Sequence, residues 1–533
     1  MPASPSIADL RDALSTPEAY PHAPETIQLQ QTHISLVALV PPWVYKVKKP
    51  VDLGFLDFST LQQRRTYCEA EVRLNRRLCD HTYEGVVPIV ETKDGLRVDP
   101  EASASTSSVV EYAVKMRHLD PEKFLDAQLS RGEATASDID RLAQTLCQFY
   151  KKQTSSPKIA TAGWIDSLQE NTDENFEQTT EQVGTALSKP SYEALQYYTD
   201  RFYDQNTALF HRRRAGGLIV DGHGDLRLEH VHLTDEHTCI YDCIEFNERF
   251  RHLDVANDVA FLAMDLDYSG RPDFAQRLVE TMADTLGDPE LTEIIDFYKC
   301  YRAYVRGKVE GMRAADPEVP ADERAQSRAR AHRYFQWALR YAVAGTAPLV
   351  VVIFGRSGTG KSTQAAALAR DLGWAHLSSD RVRKTHAGLP LHKRASERER
   401  ERLYSDRMTE RTYRTLQQRA VDRGRNHQGT ILDATYSDPD RREDLRTALR
   451  AAGVSCTFVE LCAPDDVLRE RLATRSAESA TASDARADDF DMLNARYHPP
   501  TALEDPFHVR VDTEASPPDT TLSILKTLIR LNN

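Results

Sequence analysis

The sequence predicts two folds in one chain: an α+β region in the N-terminal two thirds, and an α/β region on a parallel sheet after about residue 345. Three observations carry this. Short β-rich runs bracket one helix near the N-terminus and recur near residue 220; long helical stretches separate and follow them; and from Leu349 apolar strands alternate with helices. That alternation implies a parallel sheet with helices on both faces.

In chain order, the apolar runs ISLVALV and WVYKV between Thr26 and Val51, broken by Pro41 and Pro42, are expected as strands. Ser59 to Cys79 follows as a long helix. VVPIV and VVEYAVKM return to strand character within residues 86–119, with the Ser/Ala-rich run Glu101 to Ser108 as a turn. Residues 120–215 are expected to be mostly helical. A second β-rich patch spans Leu218 to Phe246, and helices resume through Arg340. The acid- and proline-containing stretch Ala314 to Arg324 and the Gly345-Thr-Ala-Pro348 run mark breaks, and the domain boundary is placed near Gly345. Beyond it LVVVIFG, AHLSS, TILDATY and CTFVEL are the strands, each of the first three followed by a helix. The expected domains are thus residues 26–340, with a small lobe over about 26–119 and a helical lobe over about 120–340, and residues 346–533.

A chain of 533 residues exceeds one ordinary core, at roughly 100–200 residues per domain. Its 40% hydrophobic and 28% charged residues fit a folded globular protein. Lysine and arginine total 68 against 81 acids, a formal charge of −13, which opposes broad attraction to nucleic acid or an anionic membrane. The first thirty residues lack a basic start and an apolar run, so no signal peptide is expected. No stretch reaches the length of uninterrupted apolar residues that a membrane span requires. The eight cysteines are scattered without zinc-type or disulfide-framework spacing and are expected as reduced thiols in a cytoplasmic protein.

The most specific motif is Gly355-Arg356-Ser357-Gly358-Thr359-Gly360-Lys361-Ser362-Thr363, running from an apolar strand into an alanine-rich helix. Backbone N–H groups at such a helix start bind phosphate oxygens, and glycines keep side chains clear. Lys361 is expected to reach the β- and γ-phosphates and Ser362 to ligate Mg²⁺. Next, His376-Leu-Ser-Ser-Asp380-Arg-Val-Arg383 ends a strand where a helix begins. Asp380 and Arg383, three apart, share a helix face, so the carboxylate is suited to accept a hydroxyl proton while the arginine holds a substrate anion. Helix capping by Ser379 or Asp380 is the compatible structural reading. Asp433 ends the strand Thr430-Ile-Leu-Asp433, where a carboxylate supports Mg²⁺. Arg469, Arg471 and Arg475 fall in one helical stretch, either a lid over the phosphates or a solvated basic face.

Together these features resemble the P-loop kinases that include phage polynucleotide kinase, zeta-toxin-like kinases and gluconate-kinase-like enzymes, over about Pro348 to Arg510. The resemblance implies that GRSGTGKST binds ATP, that Asp380 is the base for the accepting hydroxyl, that Arg383 grips the acceptor, and that Arg475 belongs to the lid.

Upstream, Gly222-His-Gly-Asp225-Leu226 precedes Ile240-Tyr-Asp242 on a following strand, an arrangement that supplies one base and one metal ligand across a hairpin. The H-G-D-L string resembles the catalytic loop of aminoglycoside-phosphotransferase-like and choline-kinase-like enzymes, relatives of protein kinases, over roughly Thr26 to Arg340. It implies a bilobed kinase-like domain with Asp225 as base, Asp242 as Mg²⁺ ligand, and Asp254 and Asp258 buttressing the loop. A strand lysine paired with Glu71 of the first long helix would orient ATP phosphates; period two puts Lys46 and Lys48 on one face, and Lys46 is the pairing adopted. Two features depart from the pattern. His230 stands five residues after Asp225 in place of a metal-binding asparagine, and no glycine occurs from Gln28 to Val40. Phe246 and Phe250 are expected in the core, and His230 and His232 on one face of a strand as structural histidines.

The resemblances imply a cytoplasmic kinase with ATP and Mg²⁺ as cofactors and a small-molecule hydroxyl as acceptor. A polynucleotide 5′-kinase, and a nucleotide-binding regulator with an inactive N-terminal half, are the rivals.

Overall fold

A computed structural model of the chain describes residues 5–54, 56–99, 101, 109–391, 395–477, 490–501 and 508–532. By packing the chain forms two compact units, Met1–Gln169 with Thr207–Tyr298, and Glu170–Asn206 with Lys299–Asn533. The helical run over 120–340 is therefore shared between them, and this division passes through the helices Lys189–Ala215 and Glu290–Ala315 and not through Gly345. The first of these is kinked at Asn206.

The first unit is built on an antiparallel sheet of β1 (Gln28–Gln31), β2 (Ser35–Val40), β3 (Trp43–Lys48), β4 (Tyr83–Thr92), β5 (Gly95–Val98) and β6 (Val109–Arg117), in the order β1-β2-β3-β6-β4-β5. Alternation along β3 decides what each face does. Tyr45 and Val47 join Leu36, Ala38 and Val40 in a core closed by Leu10 and Leu14 of the helix Ile7–Leu14. Val44 points the other way, into a cluster with Cys68 and Val72 of the helix Leu61–Asn75. Thr60 and Gln63 fix that helix start with a capping box. The helix is shorter than the expected 59–79 because the chain leaves it after Asn75 through turns Arg77 N–H to Leu74 O and Cys79 N–H to Asn75 O. The turn expected over Glu101 to Ser108 falls on residues 102–108, outside the described residues.

The β-rich patch near residue 220 resolves into β7 (Ile219–Asp221), the hairpin β8 (Val231–Leu233) and β9 (Thr238–Ile240), and β10 (His252–Asp254), which pairs with β7. The helix Val255–Tyr268 follows, buried from Val255 through Asp267. Two expectations fail here. Cys79 and Cys239 are joined in a disulfide with Cα atoms 4.6 Å apart; their separation of 160 residues hides the pairing from any local spacing rule. Phe250 is exposed and Phe246 half-buried, because residues 241–250 form no α-helix on which an i, i+4 face exists.

The second unit carries a parallel sheet of β11 (Leu349–Gly355), β12 (Ala375–Ser378), β13 (Thr430–Asp433), β14 (Ser455–Cys462) and β15 (His508–Asp512), in the order β12-β13-β11-β14-β15. Val350, Val352 and Phe354 pack with Leu416, Leu445 and Leu449 of the helices Asp406–Arg425 and Pro439–Ala451. The helices Lys361–Leu372, Ala321–Ala344 and Pro517–Asn532 pack on one another. Helices upstream of Gly345 join this unit through specific contacts: Phe176 stacks edgewise on Tyr304, Ser188 donates to Asp371 at 2.7 Å, and Arg340 donates to Leu372 O at 2.6 Å. Among the described residues no helix is long and apolar enough to cross a membrane.

A buried fork holds the first unit together. The Arg213 guanidinium donates to both oxygens of Asp254 at 2.8 Å and to Asp288 at 2.9 Å, all three side chains nearly inaccessible. Removing the cation strands two buried carboxylates. Arg213→Ala is expected to lower unfolding free energy by about 3–5 kcal/mol, read by urea denaturation; a loss below about 1 kcal/mol would show that the fork is solvated.

Candidate functional site

β11 runs fully buried to the carboxyl edge of its sheet and turns there through the glycine-rich loop. Gly355 has φ +134°, and a Cβ at that position would lie 2.5 Å from Leu461 O of β14, so only glycine fits. Gly358 and Gly360 also have positive φ. Gly360 begins the helix Lys361–Leu372 with no side-chain cap, so the first-turn N–H groups face the loop without intrahelical partners. The loop is closed on itself: Lys361 Nζ donates to Arg356 O at 2.7 Å and Thr359 Oγ1 donates to the same oxygen at 2.9 Å. The Arg356 side chain leaves the cradle, donating to Asp465 at 2.7 Å, Asn494 at 2.9 Å and Ala463 O at 3.1 Å. Ser357 is half-buried, and Ser362 and Thr363 are exposed at the mouth.

Strand register then supplies a carboxylate. β13 lies beside β11 with Asp433 opposite Ile353, and Ser362 Oγ donates to Asp433 Oδ2 at 2.8 Å. His376 on β12 approaches the same oxygen through Nε2 at 3.3 Å. Asp433 is 3% exposed, so its position is fixed. Ser378, opposite Asp433, precedes the helix Ser379–Ala387, whose first turn presents Asp380. Arg383 Nη1 lies 3.4 Å from Asp380 Oδ1, and its guanidinium stacks over Tyr404 at 4.6 Å. Of the expected lid arginines, Arg469 pairs with Asp491 at 2.6 Å and Arg471 donates to Thr513. Arg475 lies on the same helix, Asp465–Ala477, and its side chain falls outside the described residues.

The first unit assembles a second cluster of charges. Lys46 Nζ sits 2.9 Å from Glu71 Oε1 and donates to Asp242 Oδ1 at 2.7 Å. Lys48 donates to Glu71 Oε2 at 2.7 Å and also to Glu245. Both lysines therefore share Glu71, and only Lys46 adds Asp242. Burial alone would push the Asp242 carboxyl up, but Lys46 and then His230 hold it well below the usual carboxylate range. Burial opposes the charge on Lys46 as well, and Asp242, Glu71 and Glu245 raise its pKa well above the ordinary lysine value. Burial pushes the Glu245 carboxyl up.

His230 is no strand histidine. It ends a 3-10 turn over Leu228–His230, with Nδ1 2.8 Å from Asp225 O and Nε2 3.7 Å from Asp242 Oδ2. The loop around Asp225 is held from beneath: Asp258 accepts from His223 N–H at 2.6 Å, Gly224 N–H at 3.0 Å and the Tyr150 hydroxyl at 2.8 Å. Burial lowers the pKa of His223; the neutral ring meets Asp225 N–H at Nδ1 and Tyr241 O at Nε2. Asp254 lies apart, on the Arg213 fork.

The sequence reading missed Glu245, His376 and Glu460. Glu460, buried in β14, accepts from Tyr497 at 2.6 Å and lies 3.2 Å from His508 Nε2. A lone acid inside the apolar string TFVEL was its available signal.

Fold and loop together define the second unit as a P-loop nucleotide-binding protein, and residues 350–500 match the AAA domain family. The chain is 30% identical over 489 residues to uncharacterized proteins of Mycobacterium tuberculosis (strain H37Rv) and Mycobacterium bovis, across 89% of its own length and 93% of theirs. It belongs to the same family as these mycobacterial proteins. Among solved structures it is similar to a gluconokinase from Sinorhizobium meliloti 1021, 20% identical with a TM-score of 0.27, covering 35% of this chain and 94% of that one. A sugar kinase from Janibacter sp. HTCC2649 is 19% identical with a TM-score of 0.25, covering 34% and 95%.

The sign of the charge coupling gives a prediction. A carboxyl depressed on folding contributes stability above its unfolded pKa, near 3.9 for aspartate, and loses it as pH falls through the folded value. Lys46→Met removes that contribution from Asp242. The variant is expected to be less stable than wild type at pH 7, with the difference shrinking below about pH 4. Urea midpoints measured from pH 3 to 7 check this; a gap independent of pH would mean that Lys46 acts through packing alone.

Proposed function

We propose that the protein is an ATP-dependent phosphotransferase that works in the cytoplasm and uses its C-terminal P-loop to phosphorylate a hydroxyl of a small molecule. The observation that carries this is the 2.8 Å contact between Ser362 Oγ and Asp433 Oδ2, made beside a helix start that presents Asp380 and Arg383. A bare nucleotide-binding loop needs only the first pair; a carboxylate and an arginine on the next strand's helix supply a place for an acceptor.

Ser362 and Asp433 are hard oxygen donors at hydrogen-bond separation, a donor set that suits Mg²⁺. Bound there, Mg²⁺ would neutralise charge on the β- and γ-phosphate oxygens. The loop N–H groups from Gly358 to Thr363 cradle the phosphates, and Lys361 exchanges Arg356 O for a phosphate oxygen. Asp380 takes the proton of the acceptor hydroxyl, whose oxygen bonds to the γ-phosphorus. The bond from that phosphorus to the β–γ bridging oxygen breaks, and ADP leaves with the electron pair. The products are the phosphate ester, ADP and one proton on Asp380. Arg383 orients the acceptor, and Arg475 completes the lid.

For the first unit the resemblance to aminoglycoside phosphotransferases supports a second ATP site, with Lys46 and Glu71 on the phosphates, Asp242 on Mg²⁺ and Asp225 as base. One observation favours a regulatory role instead. His230 occupies the space between Asp225 and Asp242, and imidazole is a poor Mg²⁺ ligand.

Labelled γ-phosphoryl transfer separates these readings. Lys361→Ala is expected to abolish transfer by the P-loop site, and Asp380→Ala to lower kcat by about 10²–10⁴ while ATP affinity is retained. Unchanged transfer in Asp380→Ala would remove that residue from the chemistry. Residual transfer in Lys361→Ala that disappears on adding Asp225→Ala would establish the second active site; none would assign the first unit to regulation.

A further inference from the structure

We propose that the acceptor of the C-terminal site is a small hydroxylated acid, bearing a carboxylate or phosphate group that Arg383 and Arg441 hold together. This rests on reading the P-loop unit as a kinase and names the class of its substrate. Arg441 has the same surroundings as Arg383 on the neighbouring strand's helix. It lies in the first turn of Pro439–Ala451, which follows β13 as Ser379–Ala387 follows β12. Its guanidinium stacks over Tyr413 at 4.7 Å, and Tyr413 is held in place by a 3.2 Å hydrogen bond between its hydroxyl and Thr435. Arg441 Nε lies 3.4 Å from Asp438 Oδ2.

Both guanidinium groups carry an unanswered buried nitrogen. Arg383 Nε and Arg441 Nη1 are inaccessible to solvent and have no hydrogen-bond partner among the described residues. Other arginines, Arg201, Arg214 and Arg306 among them, also keep a buried Nε without a partner among the described residues, whereas two of the most deeply buried do not. Arg442, the next residue, donates to Tyr436 O at 2.7 Å and His498 O at 3.1 Å, and Arg64 donates to Glu111 and Phe58 O. A buried N–H without a partner is unfavourable, and two of them on helices that follow neighbouring strands are suited to a shared ligand. β12 and β13 are parallel neighbours with Ser378 opposite Asp433, and both following helices pack on Asp406–Arg425. The helices that carry the two arginines thus follow neighbouring strands at the carboxyl edge of the sheet, and the one with Arg383 also carries the proposed base.

Chemistry restricts the ligand. A guanidinium stacked on an aromatic ring keeps its in-plane N–H groups for oxygen, and its fork matches the paired oxygens of a carboxylate or phosphate. A neutral polyol hydroxyl offers no charge to two cations. The side chains are 8% exposed at Arg383 and 27% exposed at Arg441, more enclosed than the exposed cations that neutralise the regularly spaced phosphates of a polymer.

The test uses the full-length protein and γ-labelled ATP with matched acceptors: D-gluconate and D-glycerate, glycerol 3-phosphate, the neutral D-glucose and glycerol, and a 5′-hydroxyl oligonucleotide. Wild type, Arg441→Ala, Arg441→Gln and Arg441→Lys are compared, with binding of a fluorescent ATP analogue as a check that each P-loop unit is folded. Labelling is expected on an acidic small acceptor. Its KM should rise at least tenfold in Arg441→Ala and Arg441→Gln and less in Arg441→Lys, which keeps the charge without the fork. Carboxylate and phosphate members distinguish which acid is taken. Equal labelling of the neutral partners, or an acid KM unmoved in every folded variant, overturns the inference and leaves the kinase reading intact. Preferential labelling of the oligonucleotide overturns the small-molecule assignment. No labelled acceptor with wild type, despite ATP binding, overturns the kinase reading and the inference with it.

Discussion

The register between β11 and β13 is the constraint on which the C-terminal site depends. Parallel pairing sets Asp433 opposite Ile353, two residues before the loop that β11 enters. Once the chain has turned through the loop into the helix, Ser362 meets the carboxylate at 2.8 Å. A slip of one residue would turn the Asp433 side chain to the other face of the sheet. The tight turn at Gly355 serves the same end, since β14 runs so close that no Cβ fits. The site is therefore a product of sheet packing, and its precision comes from buried apolar strands more than from polar contacts.

A comparable rule of geometry governs the first unit. Period two along β3 sends Lys46 and Lys48 to the face that receives the helix Leu61–Asn75, so both reach Glu71. They differ in their second partner. Lys48 is closed off with Glu245, both buried, while Lys46 faces Asp242, whose side chain is 38% exposed. An exchangeable partner belongs on the accessible lysine. That distinction separates a fully enclosed lysine from one whose partner reaches solvent, and neither composition nor spacing contains it.

The parts legible in the sequence share a property: their determinants lie close together in the chain. The P-loop, the strand-to-helix turn at Asp380 and the acid ending β13 were each visible within about ten residues, and each strand read for the parallel sheet is one short apolar run. What escaped depended on distance. The Cys79–Cys239 disulfide, the assignment of His230 to a turn between two carboxylates, and the His376 contact to Asp433 all join residues from different elements. The helices of residues 170–206 and 299–344 were recognisable as helices, but their packing with the C-terminal sheet rests on contacts such as Ser188 to Asp371. β15 and the final helix were passed over because HVRVD is short and largely half-exposed, as an edge strand is.

The two units arrange charge around their candidate sites by different means. The P-loop uses backbone N–H groups and one lysine, so its charge complement is small and its geometry is set by the fold. The first unit instead places two lysines among three carboxylates, and most of their charge is spent internally. Without a ligand, Lys46 is neutralised by Asp242, and His230 stands close to both candidate acids. Binding a nucleotide there requires that Asp242 exchange its lysine for a metal and that His230 yield space. In the P-loop the contacts to be exchanged include the hydrogen bonds from Lys361 to Arg356 O and from Ser362 to Asp433. The need to dismantle the Lys46–Asp242 pair and to move His230 is the physical reason for proposing the primary chemistry in the second unit.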